Sequence, residues 1–474
     1  MARYCWYLLW IVLLPVVMVG CATRQYSDAA VVAVSGECDR QFLRWRNQVA
    51  DGDRFDAQDW SPPGFPYLRV DRFLASFDLV GLTARQRRDW LTRAHSKAAT
   101  AWRYEMQGGP AEATQWLEGL QGCADRAIAV LASEPGFWPR LAEAAQVPDS
   151  YSTGARVLGL YPLVSPIIRW RATAAMGELA DQFGHYNARA GWRTYLPDQA
   201  VTGERAVSEA FPRDSLGVPV LDDQARRALF QRHAPGWRIE TRDRNDLPGV
   251  PARDDNGDLR FSPGSVVYTQ LGYVYQDGII LPQLVYVLWF AARPAEHWLD
   301  IYAGALDGFV WRVTVDENGE PLVYDTIHPC GCYHQWLLVD GGLRQDGSVD
   351  YIAERLWLLG SVPSPGAAPT LSLSAGEHQL VDVATRGSNP QGQTASYRLE
   401  PLDGLRGRSP AGGRLYGGDG LVAGSERPER FLLWPAGVPS AGGMRQWGHH
   451  AVAFVGRRHF DDPYLLERYF LSPR

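Results

Sequence analysis

The apolar positions change their period part-way along the chain. Phe42, Trp45 and Val49 fall three and four residues apart, as do Trp90, Leu91, Ala94 and Ala98, the spacing that gathers side chains on one face of a helix. Thr83 stands where an N-cap would precede a helix running toward Gln107, Pro110-Ala-Glu-Ala-Thr opens another, and Leu160 to Phe183 predicts a longer one, bent near Pro166. From Ser265 the pattern becomes that of strands. Leu284-Val-Tyr-Val-Leu-Trp-Phe is a nearly continuous apolar run, and Phe309 to Val315 pairs with Leu322 to Ile327 across Asp316-Glu317-Asn318-Gly319, an Asn-Gly hairpin turn. Gly360 to Pro369 reads as a linker, and residues 401–445 hold 11 glycines with few periodic runs, predicting a long loop. The expected fold is α+β. An N-terminal helical bundle over 37–196 is followed by a connecting segment over 197–264 and a mostly antiparallel, β-rich part over 265–474.

The start of the chain changes the picture from fold to address. Arg3 precedes an apolar run from Trp6 to Gly20, 15 residues long, which is short of the ~20 needed to span a bilayer. The run closes on Met18-Val19-Gly20-Cys21, which resembles the lipobox of bacterial lipoproteins. That resemblance implies a signal peptide over 1–20, cleavage before Cys21, acylation of Cys21 with palmitate-like chains, and a lipidated tether over 21–36. Ala22 stands where an aspartate would signal retention at the inner membrane, so the implied location is the periplasmic face of the outer membrane, with the membrane as partner through lipid at Cys21.

Composition removes several classes of chemistry. A formal net charge of -6 gives no electrostatic reason to expect nucleic acid. Lys97 is the only lysine, so no Gly-x-x-x-x-Gly-Lys phosphate loop exists, and a Schiff base would rest on one residue of a predicted surface helix. His-Glu-x-x-His, Gly-x-Ser-x-Gly and Cys-x-x-Cys-His are all missing from the sequence. Asp254-Asp255-Asn256-Gly257-Asp258 lacks the positions of a calcium hand and reads as a solvated turn. Whether the protein is an enzyme is left open.

The cysteines are more informative. With Cys5 in the signal peptide and Cys21 lipidated, Cys38, Cys123, Cys330 and Cys332 remain, an even number suited to disulfides in an oxidising compartment. The economical pairing is Cys38 with Cys123, with Cys330 and Cys332 as a second candidate pair across Gly331.

Those last two belong to His328-Pro329-Cys330-Gly331-Cys332-Tyr333-His334, the densest reactive chemistry in the chain. On a straight strand the outer histidines would lie ~20 Å apart, too far for one ion. Pro329 and Gly331 therefore predict a turn, in which His328, Cys330, Cys332 and His334 become candidate ligands for zinc or copper. A strained Cys330–Cys332 disulfide or dithiol with redox function is the competing reading, and catalytic cysteine at Cys330 or Cys332 beside His328 a third. Asp325 is placed to orient His328 or to cap the turn. His297 and Asp300 lie before the hairpin and are expected to fold over it, while His449, His450 and Arg457 to Asp462 form a second polar cluster. From Trp311-Arg312-Val313 through Tyr324-Asp325-Thr326-Ile327 to His334, the C-terminal half is similar to lipoproteins of Gram-negative bacteria, a resemblance that implies the class without implying a chemistry.

Two expectations follow. One is a lipid-anchored, periplasm-facing envelope protein with a redox or metal-binding turn. The other is a module for an envelope glycan, ligand or protein partner, suggested by 18 tryptophans and 21 tyrosines, in which the turn is structural. Trp289, Trp311 and Trp336 sit in apolar runs where packing is the ordinary explanation.

Overall fold

The computed structural model describes residues 36–198, 210–347, 354–363, 368–384 and 393–472. The lipobox, Cys21 and the tether up to residue 35 lie outside the described residues.

Among the described residues, seven helices precede the first strand: α1 (Gly36–Asp51), α2 (Arg72–Ala75), α3 (Ala84–Glu105), α4 (Ala113–Leu131), α5 (Phe137–Ala144), α6 (Thr153–Leu158) and α7 (Tyr161–Gln182). Thr83 caps α3 as expected, in a reciprocal capping box with Gln86. The three- and four-residue spacing buries Phe42, Trp45 and Val49 of α1 against Trp90, Ala94 and Trp102 of α3 and Leu120, Ala124 and Ala127 of α4. A disulfide joins Cys38 on α1 to Cys123 on α4, with α-carbons 5.4 Å apart. Lys97 of α3 is not the surface residue its helix suggests. Its ammonium sits 2.9 Å from Asp59 and 2.8 Å from Asp71.

The sheet begins earlier than the sequence pattern shows. The strands are β1 (Gly191–Pro197), then, after helix α8 (Asp223–His233), β2 (Gly236–Thr241), β3 (Gly249–Arg253), β4 (Leu259–Pro263), β5 (Val266–Gln276), β6 (Ile279–Arg293), β7 (Gly304–Val315), β8 (Pro321–Ile327) and β9 (Gln335–Val339). They continue as β10 (Arg344–Gln345), β11 (Trp357–Val362), β12 (Thr370–Leu373), β13 (Leu380–Ala384) and β14 (Gln393–Pro401), before two short helices, α9 (Arg430–Leu433) and α10 (Leu465–Tyr469), and β15 (Phe470–Leu471). Eleven strands form one sheet in the order β11-β9-β8-β7-β6-β5-β14-β1-β2-β12-β13. β1 and β2, from the helical and connecting segments of the sequence reading, therefore belong to the sheet. They are short and flanked by charged residues, so their period of two is hard to see.

β5 to β9 form an antiparallel meander, with β7 and β8 paired across the predicted turn and Gly319 at positive φ. β14 pairs parallel with both β1 and β5, so the whole is a mixed sheet in an α+β fold. Alternation along the meander divides its side chains between two cores. Leu284, Tyr286, Leu288, Phe309, Trp311, Val313 and Tyr324 face one way. Trp237 of β2 meets Phe309 of β7 edge-on, although these strands stand five places apart in the sheet, so the sheet curls until its inner face closes on itself. Val285, Val287, Trp289, Val310 and Ile327 face outward and are covered by Leu402, Leu405, Leu415, Tyr416, Val422 and Met444. The glycine-rich stretch is thus a covering layer with little regular structure.

Candidate functional site

Residues 328–334 join β8 to β9, and the chain does reverse there. His328 N–H donates to the Cys332 carbonyl at 3.0 Å, and Gly331 N–H to the His328 carbonyl at 2.8 Å. Gly331 has φ +92°, and a Cβ on it would lie 2.4 Å from the Ala451 carbonyl oxygen, so both conformation and space demand glycine. The covering layer grips the turn from outside. Arg445 N–H donates to the Pro329 carbonyl at 3.0 Å and Arg445 Nε to the Cys330 carbonyl at 3.0 Å.

The reversal sends the two histidines to different carboxylates. His328 Nδ1 lies 3.4 Å from Asp307, whereas His334 Nε2 is hydrogen-bonded to Asp325 at 2.9 Å. Asp325 therefore orients His334, where the sequence suggested His328 or a turn cap. It is also held by Arg312, its register partner on β7, through Nε at 2.8 Å and through Nη2. The Arg312 guanidinium stacks 3.7 Å from the Phe460 ring centroid. Arg312 and its neighbours keep the Asp325 carboxyl below its usual range against the opposing effect of burial, and burial lowers His334 to about 4.

Asp307 on β7 centres a second buried network that the sequence reading missed. It meets His378 Nδ1 at 2.8 Å, Arg427 at 3.1 Å and His328. His378 Nε2 faces Asp246 at 3.4 Å, and its ring stacks on Phe290 with centroids 3.7 Å apart. Burial works against charge on His378, but hydrogen bonds to Asp246 and Asp307 outweigh it and raise the imidazole. For His328 burial wins, and the ring is pushed toward its neutral form. Its Nε2 is buried without a hydrogen-bond partner among the described residues. A sequence signal existed for these groups: Asp307, Arg312 and Asp325 are charges inside otherwise apolar strand runs. Nothing local marks Asp246, His378 or Arg427.

This division dismantles the expected metal set. His328, Cys330, Cys332 and His334 do not converge, and among the described residues no group of three or more His, Cys, Asp or Glu side chains could hold an ion. Cys330 and Cys332 are also not joined as the candidate disulfide; both are free thiols, Cys330 buried and Cys332 partly exposed. They nonetheless act on each other. Cys332 N–H donates to Cys330 Sγ at 3.4 Å. The Cys332 S–H, also donating to Cys330, is the largest influence on the pair: it lowers the Cys330 thiol while burial opposes and Arg427 assists, and it drives Cys332 upward. Beside them stands Glu429, which burial lifts to about 6 despite Arg427, Arg293 and Arg445. Arg293 bonds the Tyr333 hydroxyl at 3.1 Å. The site is a dithiol in which Cys330 is lowered by Cys332 and, to a smaller extent, by the charge of Arg427, whose own hydrogen bonds go to Asp307 and the Leu306 carbonyl, with a carboxyl raised to about 6 in the same surroundings.

The remaining candidates fall elsewhere. His297 is exposed on the loop before β7, and His449 Nε2 bonds the Ala57 carbonyl at 2.7 Å. His450 is buried beside the hairpin and is lowered to about 3, first by burial and then by Arg445. Trp289, Trp311 and Trp336 are core residues. No protein-family model matches the chain, and comparison with curated proteins and with solved structures gives no match.

Proposed function

We propose that the Cys330-Gly331-Cys332 hairpin is a thiol–disulfide exchange site that donates a disulfide to dithiol proteins, carried by an envelope protein lipid-anchored at Cys21. The interaction of the two thiols beside Arg427 carries this reading. In the oxidised form, a substrate thiolate attacks the more exposed Cys332 sulfur and the Cys330–Cys332 bond breaks. Cys330 departs as a thiolate opposite Arg427, and a low-pKa thiol is the faster leaving group. A second substrate thiolate then attacks the first substrate sulfur of the mixed disulfide. The substrate leaves as a disulfide, Cys332 takes a proton, and two electrons have passed to the hairpin. Glu429 is the adjacent group that holds or yields that proton. The test uses full-length protein oxidised with diamide and mixed with a reduced dithiol protein. Neither Cys332→Ser nor Cys330→Ser can form the bridge, so each should abolish oxidation of the substrate. Full substrate oxidation by either variant would overturn the proposal.

A second reading, ligand binding, is favoured by one feature. Asp71, Arg93, Lys97, Gly272, Tyr273, Trp447 and Asp461 line a small cleft of about 90 Å³, partly open to solvent, between the helices and the sheet. Glycine inside a strand marks close approach, and here a Cβ on Gly272 would lie 3.6 Å from the Trp447 ring, so the ring rests against the strand at the edge of the cleft. Balanced charges and aromatic faces suit a neutral envelope glycan. Calorimetry with neutral oligosaccharides should show binding that Trp447→Ala weakens; no binding would remove this reading.

A further inference from the structure

A helix packed on a globular protein ordinarily turns its apolar stripe inward, and α7 does the reverse. Leu163, Ile167 and Trp170 recur at four and three residues on one face, yet they are 71%, 63% and 66% exposed. Leu160, just before the helix, and Val157 and Leu158 at the end of α6 extend the same exposed surface. Only Ile168 and Met176 of α7 are buried. Beside it, α9 exposes Phe431 and Leu432 and leads directly into the Trp434–Ala436 turn, which packs on α6 and α7. So large a concentration of exposed apolar side chains is uncommon on a monomer and marks a surface that meets something apolar.

Charge selects the occupant. From Tyr151 to Gly177 the chain contains Arg156, Arg169 and Arg171 and no aspartate or glutamate, in a molecule whose formal net charge is -6. Arg169 and Arg171 flank the exposed Trp170, and the Arg171 guanidinium lies 5.7 Å from its ring centroid. Exposed apolar side chains with an interfacial tryptophan between arginines are the chemistry of a helix lying in the headgroup region of an anionic bilayer. Among the described residues no helix is long and apolar enough to cross a membrane, so α7 would lie on the surface. The chain from Cys21 to Gly36 is 16 residues, which reaches at most ~55 Å when extended. That is long enough to let the body rotate and short enough to keep it at the membrane.

We infer that the α6–α7 face, with Phe431 and Leu432, is a membrane-docking surface that lays the body of the protein onto an anionic lipid bilayer. The lipid at Cys21 tethers, and this face orients. Its apolar side chains bury into the boundary between headgroups and acyl chains to a depth of ~5–10 Å, with Arg169 and Arg171 at the phosphates, whereas Arg156 is held within the fold by the Ala436 and Gly456 carbonyls. The inference rests on the lipoprotein reading only for the tether, because the surface itself would bind lipid in a chain that is not acylated.

The experiment mixes the full chain with vesicles of phosphatidylcholine containing phosphatidylglycerol, the former brominated on its acyl chains, and reads tryptophan quenching. Subtracting the signal of Trp170→Phe isolates Trp170 from the other tryptophans while keeping an apolar ring in place. The Trp170 signal is expected to be quenched by about half or more, since a ring at this depth is near the bromines. Leu163→Ser with Ile167→Ser should weaken vesicle binding of a chain starting at residue 22, which has neither the apolar run nor the lipid, by roughly tenfold, from lost apolar burial. Both substitutions are on exposed positions, so an unchanged melting temperature shows that folding is intact. An unquenched Trp170 would overturn the inference. So would concentration-dependent self-association that buries Trp170 without lipid, which would assign the face to a second copy of the chain. Intact mass at Cys21 reports acylation separately, so failure of the anchor and failure of the docking surface are distinguishable.

Discussion

Arg312 and Asp325 face each other across two central strands with no measurable access to bulk water around the pair, and each exists there only because of the other. Removing the cation leaves a buried carboxylate with His334 as its remaining ionisable partner. Arg312→Ala is expected to destabilise the fold by about 3–5 kcal/mol, read by urea unfolding. Arg312→Met combined with Asp325→Leu should cost less than the single change, because no charge is left stranded. A loss below about 1 kcal/mol in Arg312→Ala would mean that water reaches the pair. Histidines set the pH dependence. His334 and His233 are lowered to about 4 and His450 to about 3 from an ordinary 6.5, in each case first by burial. Each takes up its proton more readily when unfolded, so stability falls as pH drops from 6.5 through 4. His378 is shifted the other way. Its contribution is complete below 6.5 and is lost as pH rises through its folded value, so it does not offset the acid loss. His334→Gln should flatten the acid slope of unfolding free energy by up to about 1.4 kcal/mol per pH unit; an unchanged slope would contradict the burial of that ring.

At the scale of elements, the turn at Gly331 fixes everything the hairpin presents. Gly331→Ala asks an L-residue to hold a φ of +92° and brings its Cβ against the Ala451 carbonyl. The conformational part alone costs about 1–2 kcal/mol, and the contact adds to it, so thermal melting should shift down and thiol accessibility at Cys330 should rise. Melting and accessibility matching the parent would show that the covering layer is looser than its hydrogen bonds imply. This turn was legible from Pro329 and Gly331, as were α1, α3 and the β7–β8 hairpin, because each rests on a local pattern of apolar spacing, cap or turn residues. The early strands were not. β1 and β2 are stabilised by pairing with β14 and β12, which lie far along the chain, and no window of neighbouring residues carries that information. The same limit applies to the site. Cys330, Cys332 and His328 announced themselves by spacing, but their surroundings are set by Asp307, His378, Arg427 and Glu429, brought in from β7, from before β13 and from the glycine-rich layer.

For the molecule as a whole, the helical unit and the sheet share a core at their boundary, where Leu216, Val218 and Ile280 join the helical cluster. Within that unit, the Cys38–Cys123 bridge closes a separation of 85 residues. Loss of the bridge in Cys38→Ala with Cys123→Ala should cost up to about 4 kcal/mol in chemical unfolding, while leaving the hairpin thiols unaffected. The hairpin is a different kind of cysteine pair, two free thiols one residue apart beside ionisable groups, and the proposed exchange depends on a bridge that forms and breaks. The most direct measurement is the equilibrium of Cys330 and Cys332 with glutathione on the full-length protein, followed by the mass of the peptide that carries them. A single two-electron transition is expected, at a potential above about -230 mV because the bridge is strained and Cys330 leaves readily, and it should disappear in either serine variant. Two thiols that stay reduced at every ratio of oxidised to reduced glutathione would contradict the account.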